Sequence, residues 1–146
     1  LDRFLMRLSL GYPAPAAEKA LLLGEARRGL LPRLQPLLEH RELALIQAEV
    51  PKVRVSDALV DYLLRLVEAT RSQPQFAWGL SPRASLALLA AAKAWAFLAG
   101  RDYVIPEDIQ AVLPSVVGHR LREQADPAGH GGGALVQWLL REVPAL

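Results

Sequence analysis

The sequence predicts a mainly α-helical fold. Apolar residues make up 52% of the 146-residue chain, whereas aromatic residues make up only 6%. Leu and Ala dominate the apolar fraction, which favours helices over a sheet of β-branched and aromatic residues. Apolar side chains recur three and four residues apart in several segments, and Ser, Pro and Gly stand where those segments begin and end. The chain is long enough to bury a core as one compact unit.

The first third of the chain predicts short elements. Residues 4–9 indicate a short strand or a helix end, and a turn follows at 11–13. Pro15 opens a short helix that Gly24 can terminate, because glycine accepts the left-handed conformation of a helix C-cap. Two prolines in 26–38 prevent a continuous helix and predict an ordered, irregular connection.

The rest of the chain predicts helices with clear start and stop signals. Ser56 is a favourable N-cap, and Ser81 with Pro82 opens the best-specified helix, which Gly100 ends. Pro106 opens another helix and is followed by two acidic residues, which the positive end of the helix dipole favours. The expected helices cover 42–49, 56–72, 81–99, 106–117 and 134–143.

Three further stretches complete the prediction. Residues 53–55 and 103–105 alternate as strands do, and short strand pairing is expected near them. Residues 127–133 are rich in glycine and predict a flexible linker before the last helix. No apolar stretch approaches the roughly 20 residues that span a bilayer, so no membrane segment is expected.

Charge and cysteine content exclude several classes of protein. Seventeen Lys and Arg against fifteen Asp and Glu leave a net charge of +2, which argues against a surface built to bind nucleic acid. The lack of Cys removes disulfides, thiolate metal sites and thiol nucleophiles, and it fits a reducing, cytoplasmic compartment. His40, His119 and His130 have no spacing that would make a metal site with nearby carboxylates. No metal is therefore expected, and the histidines are interpreted as surface or capping residues.

Other polar and aromatic residues are interpreted without a catalytic role. His-Gly-Gly-Gly at 130–133 occurs in some lipase oxyanion loops, but no Gly-x-Ser-x-Gly segment provides a nucleophile. Asp57, Asp61 and Glu68 are expected on a solvated helix face. The tryptophans are expected to pack in a core or an interface, because no basic run is interleaved with them. They are Trp78, Trp95 and Trp138.

Three motifs carry the functional interpretation. They are Leu-Asp-Arg-Phe-Leu-Met-Arg at 1–7, Gly-Leu-Ser-Pro-Arg-Ala at 79–84 and Gly-Arg-Asp-Tyr-Val-Ile-Pro-Glu-Asp-Ile at 100–109. In this order and spacing they resemble the MoxR branch of the AAA+ ATPases, and the similarity extends over residues 1–122. The chain departs from the family pattern at Ile105, where a capping Thr is more usual.

The resemblance implies a domain organisation. Residues 1–13 are expected to be the end of the AAA+ nucleotide-binding core, and 14–125 to form a helical lid of the AAA+ type. Residues 126–146, a Gly-rich linker and an amphipathic helix, have no match in the family pattern. The chain begins without Met and is expected to be an excised part of a longer protein.

The first motif resembles the family's stretch that carries the arginine finger, which implies this role for Arg3. Arg7 is close enough in sequence to be the finger instead. A finger completes the ATP site of a neighbouring subunit, because the charge on the transferring phosphoryl group needs a fixed, forked, always charged donor. A finger supplied in trans can be worth about 10³ to 10⁵ in rate.

The second motif resembles the family's sensor 2, which implies that Arg83 reaches the phosphates of ATP bound by its own core. The residues support this interpretation independently. Ser81 and Pro82 place Arg83 in the first turn of a helix, where free N–H groups and the helix dipole already favour an anion. All three residues are therefore candidates for nucleotide binding.

The family architecture implies a machine that uses ATP and Mg²⁺ and assembles as a ring, usually a hexamer. In that machine the lid closes over ATP bound by the upstream core, and its rotation is passed to neighbouring subunits. Family members act as chaperone-like proteins that remodel partners or help them acquire metal cofactors, often with a von Willebrand type A partner. These client and partner assignments come from the resemblance alone.

The chain lacks the residues that hydrolyse ATP. It has no Gly-x-x-x-x-Gly-Lys-[Ser/Thr] segment, no Asp-Glu dipeptide and no Asn, so it lacks a Walker A segment, the acidic pair of Walker B and the usual sensor 1 residue. No activity and no bound cofactor are expected for this chain alone. Catalysis is expected to lie upstream.

Two other functions compete with the assignment as a lid. A stand-alone helical module that binds protein or DNA is favoured by the junction around 99–108, which is similar to a histone-fold helix junction. The balanced charge argues against DNA as its ligand. A free-standing enzyme is disfavoured, because no set of nucleophile, base and oxyanion donors, and no metal cluster, can be assembled from these residues.

Overall fold

The structure is a computed structural model that describes residues 3–23, 32, 34–125 and 131–145. In these ranges the predicted mainly α-helical class is confirmed. The helices are α1 (Pro15–Leu22), α2 (His40–Glu49), α3 (Asp57–Ser72), α4 (Pro82–Leu98), α5 (Pro106–Val117) and α6 (Gly132–Glu142), and a 3-10 turn (Val50–Lys52) follows α2.

The chain divides into two compact units. One unit, here called the helical body, comprises Leu1–Arg7 with Gln47–Leu146, and the other comprises Leu8–Ile46. The domain boundaries proposed from the sequence at 13 and 125 are not tested by this division and stay a prediction. None of the helices that the structure describes is both long and apolar enough to cross a bilayer.

The core of the helical body lies among α3, α4, α5 and α6. The most extensive contact between helices joins α4 to α5, and α3 and α6 each pack against α5. Small residues on α4 allow this close packing, because alanine lets neighbouring helices approach. The largest fully buried apolar side chains of the four helices are Tyr62, Leu66, Leu88, Ile109, Leu113 and Leu139.

The helix starts follow the signals in the sequence. Ser56 Oγ accepts a hydrogen bond from the Leu59 N–H at 3.3 Å, and Ser81 Oγ accepts one from the Ala84 N–H at 3.3 Å. Gly100 has φ +74°, a left-handed conformation that ends α4. Ile105 has no side-chain acceptor. The start of α5 is instead stabilised by Asp108, whose carboxylate accepts a 2.9 Å hydrogen bond from the Ile105 N–H.

Two isolated β-bridges tie the connections together. Arg54 pairs with Tyr103 in parallel, which confirms the predicted strand pairing, although a single bridge replaces full strands. The second bridge is antiparallel, joins Phe76 to Glu123 and was not predicted. It is extended by the Ala77 N–H, which donates to the Arg122 carbonyl at 2.9 Å.

Helix α6, for which the sequence offered no family match, packs against α5 within the helical body. Leu135 and Leu139 are buried, and the Trp138 ring meets Phe76 edge-on with 5.7 Å between ring centroids. The helix begins so close to the turn after α5 that a Cβ on Gly132 would clash with the Gly118 carbonyl oxygen. Only glycine fits at this first position of the helix.

The first part of the chain departs from the prediction at one place. Residues 4–9 form bends and irregular backbone, so the predicted strand or helix end there is wrong. No neighbouring strand is described that could pair with them, and the Arg7 N–H instead donates to the Ser115 carbonyl at 2.8 Å. The predicted Gly24 cap, most of the 26–38 connection and most of the Gly-rich linker lie outside the described residues.

Helices α1 and α2 match the predicted short helices, and α2 begins two residues earlier than expected. Neither helix buries a side chain. In the 8–46 unit, large apolar residues therefore stay exposed where the structure describes them.

Candidate functional site

Arg83 lies at the second position of α4, directly after the Ser81-Pro82 start. Its side chain is exposed and makes no hydrogen bond or ion pair with any residue that the structure describes. The first N–H groups of a helix have no partner within the helix and carry its positive dipole end. In α4, Pro82 has no N–H and Ser81 Oγ already accepts the Ala84 N–H. The anion preference of this helix start therefore comes chiefly from the helix dipole, to which Arg83 adds a mobile positive charge.

The loop that leads into α4 is fixed to the end of α3. The Leu80 N–H donates to Thr70 Oγ1 at 2.9 Å, and Thr70 Oγ1 in turn donates to the Val67 carbonyl at 2.6 Å. Arg71 donates from Nε and Nη2 to the Leu80 carbonyl at 3.1 and 2.9 Å. These contacts hold the residue just before Ser81, so they set where α4 and Arg83 begin.

Gly79 is required by the same contacts. A Cβ at this position would clash with the Arg71 side chain and lie 3.0 Å from its Cα. Arg71 can therefore bond the Leu80 carbonyl only when the neighbouring residue has no side chain. Sequence reasoning missed both Thr70 and Arg71. A threonine on the buried face of α3 was the available signal, because a buried hydroxyl needs a hydrogen-bond partner.

A cavity of about 320 Å³ lies beside the start of α4. Its lining combines the loop before the helix, including Trp78 and Ser81, with the turn after α5, including His119 and Arg122. Arg122 Nη1 donates to the carbonyls of His119 and Leu121 at 3.3 and 2.8 Å. The turn after α5 therefore places the arginines Arg120 and Arg122 beside the start of α4.

His119 is buried within this turn, with only 6% of its surface exposed. The interpretation of His119 as a surface or capping residue is therefore wrong. Neither ring nitrogen has a hydrogen-bond partner among the described residues. Burial and the charges of Arg120 and Arg7 lower the pKa of His119, and the nearby carbonyls of Phe4 and Ser115 offset this shift only in part.

Residues 3–7, here called the N-terminal segment, are bound to the end of α5. The Arg7 N–H donates to the Ser115 carbonyl at 2.8 Å, and Arg120 Nη2 donates to the Phe4 carbonyl at 2.7 Å. The side chains of Arg3 and Arg7 are both exposed. The structure therefore places Arg3 on a segment separate from the helix start that carries Ser81, Pro82 and Arg83.

The comparisons with known proteins identify the family. Residues 68–137 match the AAA lid domain family. The chaperone MoxR1 of Mycobacterium tuberculosis is 41% identical over 130 residues, which are 82% of this chain and 34% of that protein. The chain contains an AAA lid domain of the MoxR type.

Two further relatives support this identification of the lid. The uncharacterised protein YeaC of Bacillus subtilis is 36% identical over 143 residues, which cover 98% of this chain and 44% of YeaC. The crystal structure of a candidate ATPase from Cytophaga hutchinsonii matches with a TM-score of 0.83 and 29% identity, over 98% of this chain and 47% of that one. The chain thus spans less than half the length of each of these relatives.

The junction between α4 and α5 is built for the interior of the lid. Arg101 forks onto Asp108 with contacts of 2.7 and 2.5 Å, and Asp108 is 2% exposed. Burial alone would raise the pKa of Asp108, but the hydrogen bonds from Arg101 and the Ile105 N–H, with the Arg101 charge, hold it below its usual value. Arg101 is therefore engaged inside the junction and does not favour the DNA-binding alternative.

The remaining candidate residues agree with the sequence interpretation except for two tryptophans, which lie outside the core. Asp57, Asp61 and Glu68 are exposed on α3, as expected. Trp138 packs against Phe76, whereas Trp78 and Trp95 are at least half exposed and have no such packing. Among the described residues no group of three His, Cys, Asp or Glu could hold a metal ion. His130 lies outside the described residues.

Proposed function

We propose that this chain is the nucleotide-sensing lid of an ATP-hydrolysing AAA+ protein of the MoxR type. The observation that carries the proposal is Arg83, an exposed arginine without a partner among the described residues, at a helix start that the loop contacts fix. A structural arginine at a helix start is expected to find a carboxylate or a carbonyl nearby. Arg83 instead faces solvent at the end of the helix that favours anions.

The ligand that fits this position is the phosphate chain of ATP held by an upstream nucleotide-binding core. Arg83 contacts the phosphates, Ser81 caps the helix, and Pro82 fixes its first turn, so that lid and core close together when nucleotide is present. Mg²⁺ in the upstream core supplies charge neutralisation during phosphoryl transfer. Hydrolysis depends on that core, and this chain alone has no activity.

Arg3 is proposed as the arginine finger that enters the ATP site of a neighbouring subunit in a ring, a hexamer by analogy with the family. Its exposed side chain supports the proposal. Arg7 is the alternative finger, since it is also exposed and lies on the same segment. An isolated subunit cannot complete its own ATP site by this route, so turnover depends on assembly.

The work that the ATPase performs is proposed to be chaperone-like remodelling, or metal-cofactor maturation, of client proteins in the cytoplasm. The name of the M. tuberculosis relative, chaperone MoxR1, supports a chaperone role. A von Willebrand type A protein is the proposed partner for client handling, by analogy with the family. Within this organisation residues 1–13 end the core, 14–125 form the lid, and 126–146 add a linker and a helix.

The test compares Mg-ATP turnover of the full-length protein with that of its Arg83→Ala variant. We expect turnover to fall by about tenfold or more, because the removed guanidinium stabilises charge on the phosphates. The matched control is Arg141→Ala on α6, where the arginine is exposed and bonded only to its neighbour Glu142 among the described residues.

Circular dichroism establishes that both variants are folded like the wild type. Equal turnover of Arg83→Ala and the wild type would contradict the sensor assignment. A loss of the same size in Arg141→Ala would show that the assay responds to any lost surface charge. A full-length protein without ATP turnover would contradict the proposed function as a whole.

A further inference from the structure

The N-terminal segment is held to the end of α5 and the turn after it by two described hydrogen bonds. The Arg7 N–H bonds the last turn of α5 at Ser115, and Arg120 reaches back from the residues after the helix to the Phe4 carbonyl at 2.7 Å. Arg120 also donates to the Val116 carbonyl, one turn earlier. Its forked guanidinium therefore joins the backbone of the segment to the backbone of α5.

The same turn is connected to the loop that precedes Arg83. The Arg122 carbonyl accepts the Ala77 N–H at 2.9 Å, and the Gln124 N–H donates to the Gln75 carbonyl at 2.8 Å. From that loop the Thr70 and Arg71 bonds to Leu80 continue to the start of α4. Hydrogen bonds and the short backbone stretches between them thus connect the segment that carries Arg3 to the helix that carries Arg83.

From these contacts we infer that Arg120 is a positioning residue, which holds the segment carrying the arginine finger at a fixed place relative to the sensor helix. This inference rests on the proposed function of Arg3 and Arg83. Arg120 itself does not touch nucleotide in this role. It acts through the Phe4 backbone, one residue after Arg3, so a change at Arg120 alters where Arg3 can reach.

His119 does not share this role. Its ring lies close to the Phe4 and Ser115 carbonyls, but neither of its nitrogens reaches hydrogen-bond geometry with a described residue. The turn also packs closely against α6, because a Cβ on Gly132 would clash with the Gly118 carbonyl oxygen. Among the described side chains, Arg120 is the one with hydrogen bonds both to the segment, at Phe4, and to α5, at Val116.

The positioning role predicts a particular kinetic signature in the full-length protein. A trans finger contributes mainly in the transition state, so Arg120→Ala should lower kcat by about tenfold while the KM for ATP changes less than about twofold. Arg120→Lys, which keeps the charge and a donor group but loses the planar fork, should recover part of this loss. Arg141→Ala is the control and should leave both constants unchanged.

Turnover of rings assembled from two variants shows which subunit's ATP site each arginine serves. Arg83→Ala damages the ATP site of its own subunit, whereas Arg120→Ala damages the finger given to the neighbour. In rings assembled from equal amounts of the two variants, about a quarter of the interfaces combine an intact finger with an intact sensor. Turnover of the mixture should therefore exceed that of either variant alone.

Hydrogen exchange tests the positioning without any nucleotide chemistry. In Arg120→Ala the Arg7 amide, which donates to the Ser115 carbonyl, should exchange at least about fivefold faster than in the wild type, because the segment opens more often. Unchanged exchange there would overturn the inference, and so would a mixture of variants that gains no turnover. If Arg83→Ala keeps full turnover, the sensor assignment has failed instead, and the exchange result still decides the role of Arg120.

Discussion

The helical body and the 8–46 unit both contain leucine-rich helices, but the two units differ in how far their leucine side chains are buried. In the body, leucines on facing helices close off a core, and Leu113 of α5 is fully buried. In the 8–46 unit, Leu22 of α1 is 82% exposed, and neither α1 nor α2 buries a side chain. Leucine content therefore predicts a helix in both places, but burial depends on whether other long helices are available to pack against.

The largest expected effect comes from one substitution made in both regions. Leu113→Ala should lower the free energy of unfolding by about 4 kcal/mol, because it leaves a cavity in a closed core. Leu22→Ala removes the same atoms from an exposed position and should change it by less than about 0.5 kcal/mol. Urea titration of the chain measures both values. Similar losses in the two variants would show that Leu22 is buried in solution and would break the comparison.

The second expected effect is a difference in melting temperature between the loss of a buried ion pair and the loss of an exposed one in the helical body. Asp108→Ala should lower the melting temperature by roughly 10 °C, because it leaves Arg101 and the Ile105 N–H without their acceptor in a buried junction. Asp102→Ala is the matched control, since its 2.9 Å pair with Arg54 is 72% and 76% exposed. Thermal melting followed by circular dichroism measures both.

The control variant should melt within about 2 °C of the wild type, because exposed ion pairs contribute little. Equal melting temperatures for the two variants would show that the Arg101–Asp108 pair stabilises the fold no more than an exposed ion pair does.

The smallest effect is a change in pH dependence at His119. The lowered pKa of the buried ring means that the unfolded chain binds a proton more readily than the folded chain. Stability should therefore decrease as the pH falls through about 6.5, where the unfolded histidine titrates. Urea titrations between pH 7.5 and 5.5 measure this slope.

His119→Leu should flatten the slope, and at pH 7.5 its stability should stay within about 1 kcal/mol of the wild type. An apolar side chain of similar size replaces a ring whose nitrogens make no hydrogen bond of good geometry with the residues that the structure describes. A variant that keeps the full slope would assign the pH dependence to another group.

Local signals account for the parts of the fold that the sequence predicted. Ser56, Ser81 and Gly100 act on N–H groups or backbone angles within a few residues of themselves, so their roles can be recognised without the tertiary structure. The bridge at Arg54 was predicted as strand pairing for a similar reason, since both partners show a strand-like alternation.

The features that the sequence did not predict depend on partners distant in the chain. Arg120 contacts Phe4, which precedes it by 116 residues, and the packing of Trp138 on Phe76 depends on the fold of everything between them. His119 was misjudged because a single histidine gives no periodic signal of burial. Thr70 gave such a signal, but its partner Leu80 lies on a loop whose path the sequence does not predict.

The antiparallel bridge between Phe76 and Glu123 has a mechanical consequence. It ties the chain entering α4 to the chain leaving α5, so the two helices are joined at that end as well as by the junction between them. At the junction, the Arg101–Asp108 pair and the bridge between Arg54 and Tyr103 hold the opposite end. Because both ends are held, a displacement of one helix is expected to carry the other with it, so that the pair moves as one rigid unit.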